Sequence, residues 1–183
     1  RAIVCLTKLL LVSMIGGSIP GEEALVENSF VAEGSNQEDQ QFFSVMFVQY
    51  DFEQVIDLEF LQGHTFMAGS VVDSTGVIIN EAAAQALGYS GEVVGKKIIL
   101  PNGNESEIVG LVKDFNYRPL YEAIKPLVIR IGGGQLMVKF RSDDLRGTLA
   151  SISKQWKEDF GEFPFRYSFM DDNFEQLYIE ETN

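Results

Sequence analysis

The sequence predicts an α+β fold in which two strand-and-helix arms, one at each end of the chain, flank a β-rich middle segment. Three observations carry this. Short apolar runs bounded by Gly, Pro, Asn and Asp recur along the chain and read as strands. The clearest helical periodicity lies near the C-terminus, where Leu145, Leu149, Ile152 and Trp156 fall at i, i+4, i+7 and i+11. Between the arms, Pro101-Asn102-Gly103-Asn104 separates two alternating runs, a strong hairpin signal.

Taken in order, Leu11 to Ser18 reads as a strand stopped by Ile19-Pro20-Gly21, and Ala2 to Leu11 has mixed character. Glu22 to Gln41 is acidic and polar, so a long loop is expected there. Phe42 to Tyr50 is continuously apolar and predicts a buried strand. Asp51 with Gln54 three residues on resembles a capping box for a short helix. Leu58 to Leu61 is a short strand closed by Gly63. After Gly76, Val77 to Ile79 is a strand and Asn80 caps an Ala-rich helix, Glu81 to Leu87, which Gly88 ends. Lys97 to Leu100 and Ser106 to Val112 form the hairpin. Leu120 to Ile124 is a turn or two of helix before Pro126, and Leu127 to Ile131 is a strand. Gly132-Gly133-Gly134 is a flexible joint, and Leu136 to Phe140 a strand. Asp143 or Asp144 caps the next helix; Phe165 to Phe169 is a strand; Asp171-Asp172-Asn173 caps a last helix. If the strands on either side of the Trp156 helix are parallel, that crossover should be right-handed.

The chain has 183 residues, 45% hydrophobic and 22% charged, enough for one large domain or two small ones with an unstapled core. Its formal charge of −13 repels phosphate backbones, which argues against nucleic acid as a partner. The single cysteine, Cys5, permits neither an internal disulfide nor a cysteine-based zinc cluster. No run has the apolar length of a membrane helix. Beginning at Arg1, the sequence reads as a segment of a longer protein.

Candidate chemistry is sparse. A hydrolytic triad would have to use His64, the only histidine, which lies in Gln62-Gly63-His64-Thr65 without a nucleophile elbow. Gly91 to Lys97 has three residues between its glycines and Lys97 in place of a hydroxyl, so it is not a phosphate loop. The acidic pairs lack calcium-loop spacing, and several fall where helices begin and oppose the dipole. No catalytic, cofactor-binding or metal-binding residue is predicted. Phe115-Asn116-Tyr117, in an expected loop, is either an exposed partner contact or a plug closing the small unit.

The order of segments resembles a known family. Ser18-Ile19-Pro20-Gly21, Phe47 to Phe52 and Leu58 to Gly63 resemble the start of the MacB-like periplasmic core domain of MacB/FtsX-like ABC-transporter permeases. Val77-Ile78-Ile79-Asn80-Glu81-Ala82-Ala83-Ala84 is similar to its strand-to-helix signature, and Gly95-Lys96-Lys97-Ile98 follows. Ile108 to Phe115 is the strongest match and resembles Bacteroidetes-type permeases most; Leu120 to Leu127 continues it. Phe165 to Asp172 and Leu177 to Glu181 resemble the family's exit toward a membrane helix. His64 departs from the arginine usual at that place. The resemblance implies a porter-like subdomain, residues 1–62 plus 133–183, and an inserted Sabre-like subdomain, residues 63–132. Gly63, Gly132, Gly133 and Gly134 are the candidate hinges where they join. It further implies a periplasmic domain of an inner-membrane permease that couples cytoplasmic ATP hydrolysis to movement of periplasmic substrate or partners. The implied partners are its own transmembrane helices, a cytoplasmic ATPase subunit or domain, a second permease in a homodimer or heterodimer, and a periplasmic adaptor protein. The competing expectations are a ligand-binding extracytoplasmic sensor, which needs an enclosed pocket, and a small hydrolase built on His64.

Overall fold

The structure, a computed structural model, describes residues 9–20, 26–118, 122–140 and 144–180. Expectations placed on Ala2 to Lys8, Gly21 to Leu25, Leu120, Tyr121 and Asp143 lie outside these residues. Nine strands are present: β1 (Leu9–Gly17), β2 (Glu27–Ala32), β3 (Gln41–Val48), β4 (Phe60–Gly63), β5 (Val77–Asn80), β6 (Lys97–Ile99), β7 (Glu105–Val112), β8 (Leu127–Ile131) and β9 (Gln135–Phe140). The helices are α1 (Val71–Thr75), α2 (Glu81–Ala86), α3 (Leu145–Asp159) and α4 (Met170–Glu180).

All nine strands share one hydrogen-bonded sheet in the order β2-β6-β7-β5-β8-β3-β1-β9, with β4 added on β7. Because β2 also pairs with β3, six strands close on themselves as a ring. From this ring β1 leaves as a ribbon: Ile15 to Gly17 pair with β3, while Leu9 to Ile15 pair antiparallel with β9.

The ring closes because its strands carry apolar residues on both faces. On β5, Val77 and Ile79 point to one side and Ile78 to the other, and all three are fully buried. The first side is the ring interior. There Phe30, Phe43, Val45, Ile98, Ile108 and Val128, contributed by five strands, meet Val77 and Ile79 together with Ala83, Ala84 and Leu87 from the α2 segment. Phe30 and Phe43 stack with centroids 5.6 Å apart. On the outer side Met46, Ile78, Leu127 and Ile129 are covered by Phe52, Phe66 and Tyr117 from connecting segments.

Several expectations are met locally. Asn80 caps α2, its Oδ1 accepting the Ala83 N–H at 3.0 Å. The hairpin forms, with Lys97 to Ile99 paired antiparallel to Glu105 to Glu107. Asp144 caps α3, accepting from the Gly147 N–H at 2.9 Å. Others are corrected. The polar stretch 22–41 contains β2, which alternation alone hides because only Phe30 and Val31 are buried on it. The turn at 52–54 is 3₁₀, and Asp51 lies at φ 65° with no side-chain cap bond to the backbone. Val71 to Thr75 form α1, which had not been expected. Glu122 to Ile124 are not helical. Residues 165–169 pair with no strand among the described residues, so no crossover between paired strands exists here.

Three ladders also cross the division expected at 62/63, one of them joining Phe60 and Gln62 of β4 to Val112 and Leu111 of β7. β2 pairs with β6 through Val31 and Ala32, and β3 runs parallel to β8 from Ser44 to Val48. Residues 27–48 thus hydrogen-bond with the middle segment. Sequence periodicity reports which face of a strand is buried, but not which strand satisfies its backbone.

Candidate functional site

With no chemistry-bearing cluster predicted, the junction between ring and ribbon is where three of the four expected hinge residues gather, Gly132 to Gly134. Ile131, beside Val48 of β3, is separated by three residues from Gln135, beside Ile15 of β1. Gly132 to Gly134 therefore cross the strand ends. A Cβ on Gly132 would lie 2.7 Å from Cδ1 of Phe47, and one on Gly16 would lie 2.7 Å from the Gly133 oxygen. A Cβ on Gly134 would collide with the Ile15 carbonyl oxygen. None of the three has a positive φ. Close backbone approach, rather than a left-handed conformation, is what requires glycine there. Gly132 is held at both ends: its N–H donates to Val48 O at 2.9 Å, and its carbonyl accepts from Gln49 Nε2 at 2.9 Å. Gly133 alone has room, with Met14 Cε 4.0 Å away.

Gly63 belongs to the ring. It pairs with Gly110 of β7 at φ 71°, and a Cβ there would strike the Val109 carbonyl oxygen. Its neighbour Gln62 clamps the 91–93 loop, donating to Gly91 O and accepting from the Val93 N–H, both at 2.8 Å.

The aromatic loop divides. Tyr117 is 1% exposed and Phe115 packs beside it with centroids 5.8 Å apart, both within the outer core cluster. Tyr117 therefore plugs the core, and of the three residues Asn116 alone is exposed. Burial pushes the Tyr117 phenol above its ordinary pKa. Burial does the same to Tyr89, whose hydroxyl donates to Lys97 O at 2.6 Å and accepts from the Glu33 N–H at 2.9 Å.

Asn80 does more than its capping role announced. Its side chain, fully buried, accepts from Ala83 N–H and also from Leu127 N–H at 2.8 Å, and donates to Lys125 O at 3.0 Å. One amide thus fixes the start of α2 and the start of β8. The Asn-before-helix pattern signalled the cap; nothing in the sequence signalled residues 125 and 127, 45 and 47 positions away.

The catalytic and ligand-binding alternatives find little support in the geometry. His64 is exposed, and its Nδ1 lies 2.7 Å from its neighbour's carbonyl, Thr65 O. The nearby carboxylate of Glu53 instead accepts from the Thr65 hydroxyl at 2.8 Å. A recess of about 470 Å³ lies beside α2, lined by Glu81, Gln85, Tyr89 and Leu111 among others, but it is an open depression. Among the described residues no group of three or more His, Cys, Asp or Glu side chains is placed to hold a metal ion. Among them also, no helix is long and apolar enough to cross a membrane.

A family model decides what this architecture is. Residues 10–152 match the MacB-like periplasmic core domain. The chain belongs to that family. It is a periplasmic domain of an inner-membrane ABC-transporter permease. The MacB-like fold is also seen in solved structures. The periplasmic region of MacB from Actinobacillus actinomycetemcomitans superposes with a TM-score of 0.63 at 18% identity, covering 95% of this chain and 78% of that one. The extracellular domain of the noncanonic ABC-type transporter YknZ from Gram-positive bacteria gives 0.59 at 14% identity, covering 86% and 79%. No curated protein shows significant similarity to the chain. The mixed α+β architecture read from the sequence is that of these MacB-like domains.

Proposed function

We propose that this MacB-like domain is a mechanical coupler and not an enzyme. In this reading, ATP hydrolysis by a cytoplasmic ATPase subunit or domain moves the membrane helices. The helices move the ribbon, and the ribbon moves the ring relative to a second permease in a homodimer or heterodimer. The ring then acts on periplasmic substrate or on an adaptor protein. The observation that supports the reading is the ribbon itself: β1, which precedes the ring in the chain, pairs with β9, which follows it, so the segments on both flanks of the ring meet in one structural element. Coupling needs two rigid arrangements with different contacts.

The unit carried on the ribbon is proposed to be the closed ring, residues 27–131, rather than 63–132, because the β2–β6 and β3–β8 ladders bind residues 27–48 into it. The pivot is proposed within Gly132 to Gly134, at Gly133, since Gly132 and Gly134 are packed. Gly63, within the ring, is not proposed as a pivot.

Spin labels at Asn102, on the hairpin turn, and Lys154, on α3, test this in the assembled permease; both positions are exposed. Pulsed electron resonance should show their distance shifting on the order of 5 Å between the nucleotide-free and ATP-vanadate states. A distance constant to within about 1 Å while ATP is still hydrolysed would sink the proposal.

A further inference from the structure

The arm after the ring carries a continuous ladder of aromatic side chains. Between ring centroids, Phe160 lies 4.8 Å from Trp156, Trp156 6.1 Å from Phe165, Phe165 5.5 Å from Tyr167, and Tyr167 5.6 Å from Phe169. None of these rings belongs to either core cluster. The turn that follows α3 is fastened to the ladder. The Phe163 N–H donates to Phe160 O at 2.7 Å, and the Trp156 indole N–H donates to Phe163 O at 3.0 Å. The assembly is nonetheless open to solvent: Phe160 is 41% exposed, Tyr167 58% and Phe163 66%, and Met170 at the end of the run is 46% exposed.

The three most exposed rings present roughly 300 Å² of surface, the size of a patch that marks an interaction site on a monomer. A stable protein interface takes about 800 Å² from each side, so the ladder alone is too small to hold a folded partner. A bilayer interface asks for less. Indole and phenol rings favour the headgroup layer because an apolar body and a polar tip are both satisfied there. The permease to which this domain belongs brings it to such a bilayer. Charge selects the lipid. Lys157 and Arg166 stand against Glu158, Asp159, Glu162, Asp171 and Asp172 in the same stretch. Anionic headgroups are repelled by that excess, whereas zwitterionic ones can set their ammonium groups against the carboxylates.

We propose that the aromatic run from Trp156 to Met170 is an interfacial anchor, whose exposed rings enter the headgroup layer of a zwitterionic bilayer and lay this arm against the membrane. α4 begins at Met170, where the ladder ends, so the anchor also sets the depth at which that helix starts. The inference stands on the family and on the exposed ladder, and does not depend on the coupling mechanism proposed above.

Trp156 is the only tryptophan, so it reports from within the ladder without a label. Mixing the 183-residue protein with phosphatidylcholine vesicles should move its fluorescence to shorter wavelength, and lipids brominated near the headgroup end of the acyl chains should quench it. The double variant Phe163→Ser, Tyr167→Ser should lower vesicle partitioning at least about 10-fold, whereas Phe42→Ser, which removes a similarly exposed ring from β3, should change it less than about 2-fold. Adding phosphatidylglycerol to the vesicles should weaken binding. Fluorescence unchanged by phosphatidylcholine vesicles would overturn the proposal. So would a loss for Phe42→Ser equal to that of the double variant, or tighter binding with phosphatidylglycerol. A shift to shorter wavelength that grows with protein concentration and needs no lipid would overturn it too, since a second copy would then be covering the rings.

Discussion

Every buried apolar side chain among the described residues lies between Ile15 and Ile129; beyond Ile129 the one buried side chain is Thr148. The arm after the ring is not poor in apolar residues. Leu136, Leu145, Phe160, Phe163, Tyr167 and Met170 are all there, and all are exposed. Nor is the periodic face of α3 sealed, for Leu145 is 43% exposed and Leu149, Ile152 and Trp156 are half-buried. The ring closes its own ladders and fills its own interior, so its stability is internal. In the arm, the apolar face of α3 is only partly covered by the described residues. The comparison teaches that a sealed core and a sparsely packed arm were built from similar residue types, differing in how much of their apolar surface the described chain covers.

The contrast should be largest in the core. Ile79→Ala empties a fully buried site inside the ring and should cost about 2–5 kcal/mol, whereas Leu136→Ala in the arm should stay within about 0.5 kcal/mol. Urea unfolding of the two variants measures this; equal losses would erase the distinction. Asn80→Ala comes next, removing three hydrogen bonds, one of them the cap of α2, at an expected cost of about 2–4 kcal/mol. A loss below about 0.5 kcal/mol would mean that α2 and β8 are not held by this amide.

At the junction, Gly134→Ala drives a methyl group onto the Ile15 carbonyl and should cost about 1–3 kcal/mol, while Gly133→Ala, with room around it, should cost no more than about 0.5 kcal/mol. Faster amide exchange in β9 than in β5 for Gly134→Ala would place the damage at the ribbon rather than in the ring. The smallest effect is in pH. Tyr117 and Tyr89 have phenols raised by burial above 10.0, so the folded form holds those protons more tightly than the unfolded chain. Their contribution is fully present below pH 10.0 and is lost as pH climbs above it toward the folded values. The urea midpoint should fall on that limb, and the double variant Tyr89→Phe, Tyr117→Phe should flatten it. An unchanged slope would show that neither phenol is linked to folding.

How much was legible beforehand follows from the range of the signal. Asn80 before Glu81, Asp144 before Leu145, and the Pro-Asn-Gly-Asn turn act within a few residues, and each was placed by local chemistry alone. β2 escaped because a polar strand becomes recognisable only once β3 and β6 are beside it. The aromatic alternation at Phe165, Tyr167 and Phe169 was visible and described a strand-like segment, yet a strand also needs a neighbour, and in this arrangement it has none among the described residues. The extra partners of Asn80 and the close crossing of Gly132 to Gly134 were hidden for the same reason. Hydrogen bonds and contacts between distant segments leave no period in the chain.

Sequence alone determined the mixed α+β class, the order of most elements and the family. These rest on local propensities, caps and a recurrent series of short motifs. Tertiary structure decided that the strands form one sheet, that six of them close into a ring reaching across the expected division, and that the glycine run is packed at two of its three positions. Backbone donors and acceptors must be satisfied somewhere, and the identity of the partner strand is settled only when the whole chain has collapsed around a shared core.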